Sequence, residues 1–447
     1  MKWALYNILF LFVYPFLLPG FLVRMLRRGG YAARMGDRIA LYPEAARKAF
    51  LSARESGGFV WIHAVSVGEV QVAGRLMKEW RDAEPGVRFC FSTTSSTGWR
   101  TAEKEVTERD VLIYNPLDFP TFVKAALQTV RPRAIVLTES EIWPNFIRRA
   151  AKMRIPLFLV NARVSDRSAP RYKAARMFFG DVFKCFTRIF AQSDLDASRI
   201  RATYGRDASA APGGDNISVT GSFKFDAAVR NEAKEKELKE WIFGGSSASP
   251  SKKILLGGST WPGEDEVLLD IYKEILSSNG DVLLVIAPRH FEKADAVEAN
   301  IAAAGFRCIR RSRGERGTGN GERAAVFLAD TTGELMGLYG IADAVFVGKS
   351  LCAHGSQNMI EPCLCGKPTF VGPYTENFRP VMSDLLAADA IVQVKDAAEL
   401  KARLVAMFRG GAAPDDALAL GERARKAVER RRGVVAKCVR ETRAAAK

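Results

Sequence analysis

From residue 57 onward, short apolar runs alternate with amphipathic stretches. FVWIHAV, VRFCFSTT, VLIYNPL, AIVLTES, IPLFLVNA and RIFAQS read as strands, and ISVTGSFKFD closes the series. Continuous apolar runs of this length, ending in small or polar residues, fit strands covered on both faces. Between them QVAGRLMKEWRDA and FPTFVKAALQTV carry apolar residues at helical spacing. A charged stretch, RNEAKEKELKEWIF, leads into GGSSASPSKK, residues Gly244 to Lys253, which has the composition of a linker. The alternation then resumes with KILLGGST, DVLLVIAPRH, FRCIRR, AAVFLAD, ADAVFVGKS, KPTFVGPY and AIVQV. This order predicts an α/β fold with two Rossmann-like, doubly wound parallel sheets and a cleft where strand ends meet ligands. The expected division is 24–228 and 254–415 for the two domains, 229–253 for the linker, and 416–447 for a basic C-terminal helix. The plain reading of that helix is a solvated face.

Composition sharpens this picture in three ways. The length of 447 residues is too great for one ordinary core, and 48% hydrophobic against 26% charged residues excludes extensive disorder. The net charge of +16 calls for an anionic partner: nucleic acid, anionic lipid or a phosphorylated substrate. No RNP, helix-turn-helix or zinc-finger pattern is present, which argues against nucleic acid. The seven cysteines are scattered, and Cys363 and Cys365 make a lone Cys-x-Cys. That argues against a zinc site and for a reducing compartment.

The first residues point to lipid. Trp3 to Val23 contains no charged residue and is close to the roughly 20 residues that span a bilayer. Pro15, Pro19 and Gly20 would bend such a helix, so a spanning and an interfacial anchor both fit residues 1–23. Arg24, Arg27, Arg28, Arg34 and Arg38 follow, and by the positive-inside rule they hold the next domain on the cytoplasmic side, near anionic headgroups. A cleaved signal peptide is the competing reading, but no small-residue cleavage site follows.

Several strands end on residues that could carry chemistry. FVWIHAV leaves through Ser66-Val67-Gly68 to Glu69, which reads as a first-turn helix acid or as a base lifted out of the core. In GGSTWPGEDE, Gly257 and Gly258 would allow close backbone approach. Ser259 and Thr260 offer hydroxyls, and Glu264 opens a helix whose start favours a phosphate. IAPRH presents Arg289, which can fork a phosphate or sit in a surface ion pair, followed by His290. In HGSQNMIEP the spacing of Asn358 and Glu361 puts both on one helix face, where a glutamate could hold a ribose or simply cap. SDLD contains a formal Asp-x-Asp, Asp194 and Asp196, but Ser193 before it fits an N-cap, so the pair reads as structural.

Taken in order, HAVSVGEV, LTESEIWPN, NARVSDRS, GSFKFD, GGSTWPGE, APRH and GSQNMIEP give the chain a resemblance to the Kdo transferases. These are membrane-anchored glycosyltransferases that move 3-deoxy-D-manno-octulosonate (Kdo) from CMP-Kdo to a lipid A precursor. The resemblance covers nearly the whole chain. It implies a GT-B architecture and an inverting transfer that needs no metal or other cofactor, in lipopolysaccharide biosynthesis. It also implies Glu69 as catalytic base, with Ser259, Thr260, Arg289, His290, Asn358 and Glu361 around the donor. On the acceptor side it implies Ser66, Gly68, Glu139, Arg163 and Lys224, and Glu141 lies in the same stretch as Glu139; Arg34 and Arg38, basic and next to the anchor, are candidates for the lipid headgroup by charge and position. The chain departs from the family pattern at Gly355-Ser356-Gln357, where Gly-Gly-His is usual, and at Ser222-Phe223, where Asn-Leu is usual. The alternatives are a GT-B enzyme that uses a UDP-sugar and a membrane-anchored nucleotide-binding protein without catalysis.

Overall fold

All fourteen apolar runs form strands, arranged among the described residues as two seven-stranded parallel sheets. The structure is a computed structural model and describes residues 32–204, 216–227, 230–243, 252–278, 282–317, 325–408 and 415–446. It also describes 2–4, 6–8, 11–12 and 20. The first sheet holds β1 (Phe59–His63), β2 (Arg88–Thr93), β3 (Val111–Tyr114), β4 (Ala134–Thr138), β5 (Leu157–Ala162), β6 (Arg188–Ala191) and β7 (Ile217–Val219). Its order is β3-β2-β1-β4-β5-β6-β7. The second holds β8 (Lys253–Thr260), β9 (Val282–Pro288), β10 (Arg307–Arg310), β11 (Ala325–Leu328), β12 (Ala344–Val347), β13 (Thr369–Val371) and β14 (Val392–Gln393). Its order is β10-β11-β9-β8-β12-β13-β14.

Every residue of β1, β4 and β5 is buried, which is why these strands read as unbroken apolar runs rather than alternating ones. The buried indole of Trp61 meets its one polar need by donating to Ser92 Oγ at 2.8 Å. The direction of strand addition reverses between β1 and β4 in the first sheet and between β8 and β12 in the second. In doubly wound sheets that reversal opens a crevice at the carboxyl ends of the flanking strands. The side chains that follow β1, β4, β8 and β12 are therefore the first to examine.

The chain forms two units: Met1–Phe223 with Gly433–Lys447, and Lys224–Arg432. Two expectations are corrected here. Part of the stretch expected as linker, residues 229–253, is the Glu232–Phe243 helix, which buries Leu238, Trp241 and Ile242 in the core of the second unit. Their spacing of three and four residues makes an apolar stripe among the charges, which outweighs the linker-like composition. The 416–447 segment is two helices, Asp415–Glu429 and Val434–Ala445, separated at Gly433 with φ 84°. Neither is simply a solvated face. Ala424 and Val428 of the first are buried in the second unit, whereas Val434, Val435, Cys438 and Val439 pack with Val72, Leu76 and Phe223 of the first. The basic residues face outward, and Arg443 donates to Glu84 at 3.1 Å.

Deleting residues 433–447 should uncover that apolar face. Burial of several such side chains is worth roughly 5 kcal/mol in sum. The expected result is a clear fall in the urea midpoint; an unchanged midpoint would show that the terminal helix is an appendage.

The Trp3–Val23 segment falls largely outside the described residues, and among the described residues no helix is long and apolar enough to cross a membrane. Its described pieces touch the first unit. Trp3 lies against Phe178 with ring centroids 4.9 Å apart, Tyr6 donates to Asp118 at 3.1 Å, and Asn7 accepts from Asn145 at 2.8 Å.

Candidate active site

The exit from β1 is built by capping. Ser66 leaves the strand in an extended conformation and caps the Val67–Ala83 helix, its Oγ accepting the Glu69 N–H at 3.2 Å. Glu69 reaches back, and its Oε2 accepts the Val65 N–H at 2.8 Å. This is a reciprocal cap of the Ser-x-x-Glu kind, so the structural reading of Glu69 is realised. Its surroundings add more. Glu69 as a whole is 9% exposed. Burial raises its pKa above the usual glutamate value, with the Glu141 charge adding to the rise and the Val65 N–H opposing it. The Ser66 hydroxyl and N–H lower it as well. A methyl group placed on Gly68 would meet nothing within 4 Å, so the space beside this first turn is open.

Glu141 follows β4 across the strand-order reversal. Its Oε2 accepts from Trp143 Nε1 at 3.0 Å and lies 3.7 Å from His63 Nε2. His63 is fully buried, with Nδ1 2.9 Å from Ser92 Oγ. Only His63 in this group escapes a reading of the sequence, because a histidine inside an apolar strand looks like core. Nearby, Glu139 and Asn161 end β4 and β5 with φ of 53° and 54°, and Asn161 donates to Glu139 Oε1 at 3.2 Å. A side chain in this left-handed region costs roughly 1 kcal/mol, and such positions cluster at functional sites.

The remaining acceptor-side expectations fare unevenly. Arg163 is exposed, and its N–H meets the Glu139 carbonyl at 3.4 Å. Lys224 opens the second unit rather than closing the first, and its ammonium lies 4.0 Å over the Phe378 ring. Arg38 is 4% exposed: it donates to Thr94 O at 2.8 Å and lies over the Tyr114 ring. Arg34 pairs with buried Asp37 at 3.0 Å and donates to Leu112 O. These two arginines hold the start of the first unit together, so a headgroup role for Arg38 does not fit its burial. The expectation rested on charge and position, and charge does not report what a guanidinium already touches.

In the second unit the donor-side residues gather at the carboxyl ends of β8, β9 and β12. Ser259, with φ 53°, and Thr260 are buried, and Thr260 O accepts the Arg289 N–H at 3.0 Å. The Arg289 side chain is exposed and, among the described residues, pairs with no carboxylate, so the surface ion-pair reading does not apply. His290 lies edge-on to Trp261 at 4.9 Å and shares a 3.1 Å contact with Glu292. Asn358 donates to Glu361 Oε1 at 3.0 Å, so the two share one side as the spacing implied. The helix that carries Glu361 is only Ile360–Leu364.

Two details alter the reading of GGSTWPGE. The glycines serve packing: a methyl group on Gly258 would lie 2.7 Å from the Tyr339 hydroxyl, and one on Gly257 would lie 2.4 Å from Leu268. The loop between β8 and the Glu264–Ser277 helix is engaged by the protein itself. Glu264, fully buried, takes the Trp261 N–H at 2.8 Å with its own carboxylate. The same carboxylate accepts the N–H groups of Lys349, Ser350 and Leu351 at 2.8, 3.0 and 3.0 Å. Glu264 thus ties the loop after β12 to the loop after β8. Asp194 and Asp196 open a helix capped by Ser193, with Asp196 accepting the Val164 N–H at 2.8 Å. Among the described residues no group of three acidic, His or Cys side chains could hold a metal.

Residues 33–227 match the family model described as 3-deoxy-D-manno-octulosonic-acid transferase (kdotransferase). A 3-deoxy-D-manno-octulosonic acid transferase of Haemophilus influenzae is 30% identical over 403 residues, 90% of this chain and 89% of that protein. Among solved structures, Anabaena HepE in complex with UDP superposes with a TM-score of 0.54 at 13% identity, covering 87% of this chain and 100% of that one. A glycosyltransferase from Rickettsia africae gives 0.53 at 14%, covering 86% and 98%. At such identities these two likenesses speak to the fold alone.

Proposed function

The chain belongs to the 3-deoxy-D-manno-octulosonic-acid transferase family, and from that premise we propose that it moves Kdo from CMP-Kdo to a hydroxyl of a lipid A precursor. The observation that carries the reading is the likeness over 90% of the chain to a named Kdo transferase. It is supported by a largely buried glutamate of raised pKa at the strand-order reversal of the first unit.

In this reading the acceptor hydroxyl is a poor nucleophile, and Glu69 takes its proton as the new bond forms. Partial burial and the Glu141 charge make Glu69 a better base than a solvated carboxylate. CMP departs with its phosphate gaining charge, and a cation fixed in advance stabilises that charge more in the transition state than in the ground state. Arg289 and the hydroxyls of Ser259 and Thr260 suit that task, and Asn358 with Glu361 suits the nucleoside. A leaving group with a single phosphate needs no metal bridge of the kind a diphosphate draws on, so the transfer proceeds without a divalent ion.

The test is mass spectrometry of the acceptor after incubation with CMP-Kdo and a tetraacylated lipid A precursor, run with and without a chelator. The acceptor should gain the mass of one or more Kdo units in both mixtures. An unchanged acceptor, or transfer from a UDP-sugar instead, would overturn the assignment. Transfer lost only in chelator would overturn the metal-free step.

The reading also places the protein on the cytoplasmic face of the inner membrane, where its amphiphilic acceptor lies. In the first residues Trp3, Tyr6 and Asn7 touch the first unit, whereas Ile8, Leu11 and Phe12 are 53%, 59% and 67% exposed. Both sets have spacings of three and four residues, so one side docks on protein while the other offers an apolar strip. Changing both Leu11 and Phe12 to Glu should cut sedimentation with anionic vesicles severalfold; unchanged sedimentation would remove this strip from the membrane contact.

A further inference from the structure

Building on the proposed transfer, we propose that Lys349 is a donor-binding residue whose ammonium holds an anionic group of the sugar nucleotide. Nothing in the motif reading singles it out, since GKS after an apolar strand resembles any strand exit. Its geometry does.

Lys349 follows β12 with φ 58°, a conformation that glycine adopts freely and that a side chain disfavours. The backbone there is fixed from both directions. Its N–H donates to Glu264 Oε2 at 2.8 Å, and its carbonyl accepts the Ser356 N–H at 2.7 Å. The neighbouring Gly348 donates to Gly258 O at 2.9 Å. It lies so close to β8 that a methyl group on it would be 2.3 Å from Ser259 O and 2.5 Å from Thr260 Cα. Lys349 is therefore held beside the two hydroxyls of the donor rim. The strain would vanish with glycine, so a lysine at this position is kept for its side chain.

That side chain is half-buried, and its ammonium sits 4.9 Å over the Trp261 ring. The Trp261 ring also meets the His290 ring, with centroids 4.9 Å apart. Among the described residues the ammonium pairs with no carboxylate. Glu264, which holds the Lys349 N–H, spends both oxygens on backbone N–H groups. A partly desolvated cation with an aromatic wall and no counter-ion is suited to an incoming anion. Glu264 also takes the Trp261 N–H, so that loop amide is not offered to a ligand. The donor carries two anionic groups, the phosphate of CMP and the carboxylate of the sugar acid, and both can accept from an ammonium.

The experiment is calorimetric titration of the full chain with CMP and with cytidine, alongside KM for CMP-Kdo, for the native protein, Lys349→Met and Lys349→Gly. Lys349→Gly relieves the backbone, so its melting temperature should match or exceed that of the native chain. Loss of a charge-assisted bond should weaken binding about ten- to hundredfold. If both variants bind CMP that much more weakly while cytidine binding is unchanged, the partner is the phosphate. If CMP binding is unchanged and only KM for CMP-Kdo rises, the partner is the carboxylate. Native values for all three ligands would overturn the proposal with the transferase reading intact. A native chain that binds no CMP at all would overturn both.

Discussion

Replacing Glu69 with Gln is expected to lower the turnover of Kdo transfer by about 10²–10⁴-fold while leaving CMP affinity unchanged. The amide cannot accept the acceptor's proton, but its oxygen still satisfies the Val65 N–H that the carboxylate holds at 2.8 Å. The first turn of the Val67–Ala83 helix therefore survives, and the residues proposed for CMP lie in the second unit. The pH profile separates chemistry from structure. Burial, then the Glu141 charge, raise the Glu69 pKa, so the rate should fall on acidification at a pH above the ordinary glutamate range. Removing the Glu141 charge with Glu141→Gln should shift that acid limb downward. Stability should move the other way. Because folding raises this pKa, the stabilisation is complete below the unfolded value and lost as pH rises through the folded value. At neutral pH the ionised carboxylate costs stability, so Glu69→Gln should melt at or above the native temperature. Retained transfer in the variant would refute the base assignment; a lower melting temperature at neutral pH would show the residue to be mainly a cap.

Glu264→Ala carries the second large expectation. The carboxylate is fully buried, and five backbone N–H groups from two loops converge on it, those of Trp261, Lys349, Ser350, Leu351 and, at 3.4 Å, Cys352. Without it these donors lose their acceptor, a loss of about 3–5 kcal/mol in a denaturant melt. Gln is no rescue, since its amide group would turn donors toward donors. Function should suffer as well, because the same carboxylate sets the left-handed backbone at Lys349 and the turn beside Ser259 and Thr260. Displacement of those groups by about 1 Å can lower the transfer rate up to about 10²-fold. A variant within about 0.5 kcal/mol of native, with native CMP affinity, would show that water or a loop rearrangement replaces the carboxylate and that the two loops are not held through it.

The roles that could be read from sequence differ from those that could not in the range of the interaction involved. Asn358 and Glu361 meet as their spacing implies, because three residues of local backbone decide it. Ser193 caps its helix for the same reason. Arg38 looked like a surface charge and is buried against Thr94 and Tyr114, far along the chain. Gly258 looked like a ligand-facing glycine and is instead required by Tyr339. Glu264 looked like an ordinary helix opener, and most of its partners lie 85 or more residues away.

The sequence alone determined the fourteen strands, the two parallel sheets and the ordered motifs of a transferase family, because apolar periodicity and turn chemistry act over a few residues at a time. Tertiary structure alone decided which charges are spent and which remain available. It buried Arg38, drew Glu264 into a knot of backbone amides, raised the Glu69 carboxyl through burial beside Glu141, and left Lys349 strained with its ammonium unpaired among the described residues. The physical reason is that an ionised side chain's free energy depends on the solvent it loses and the partners it gains, and both are set by residues distant in sequence.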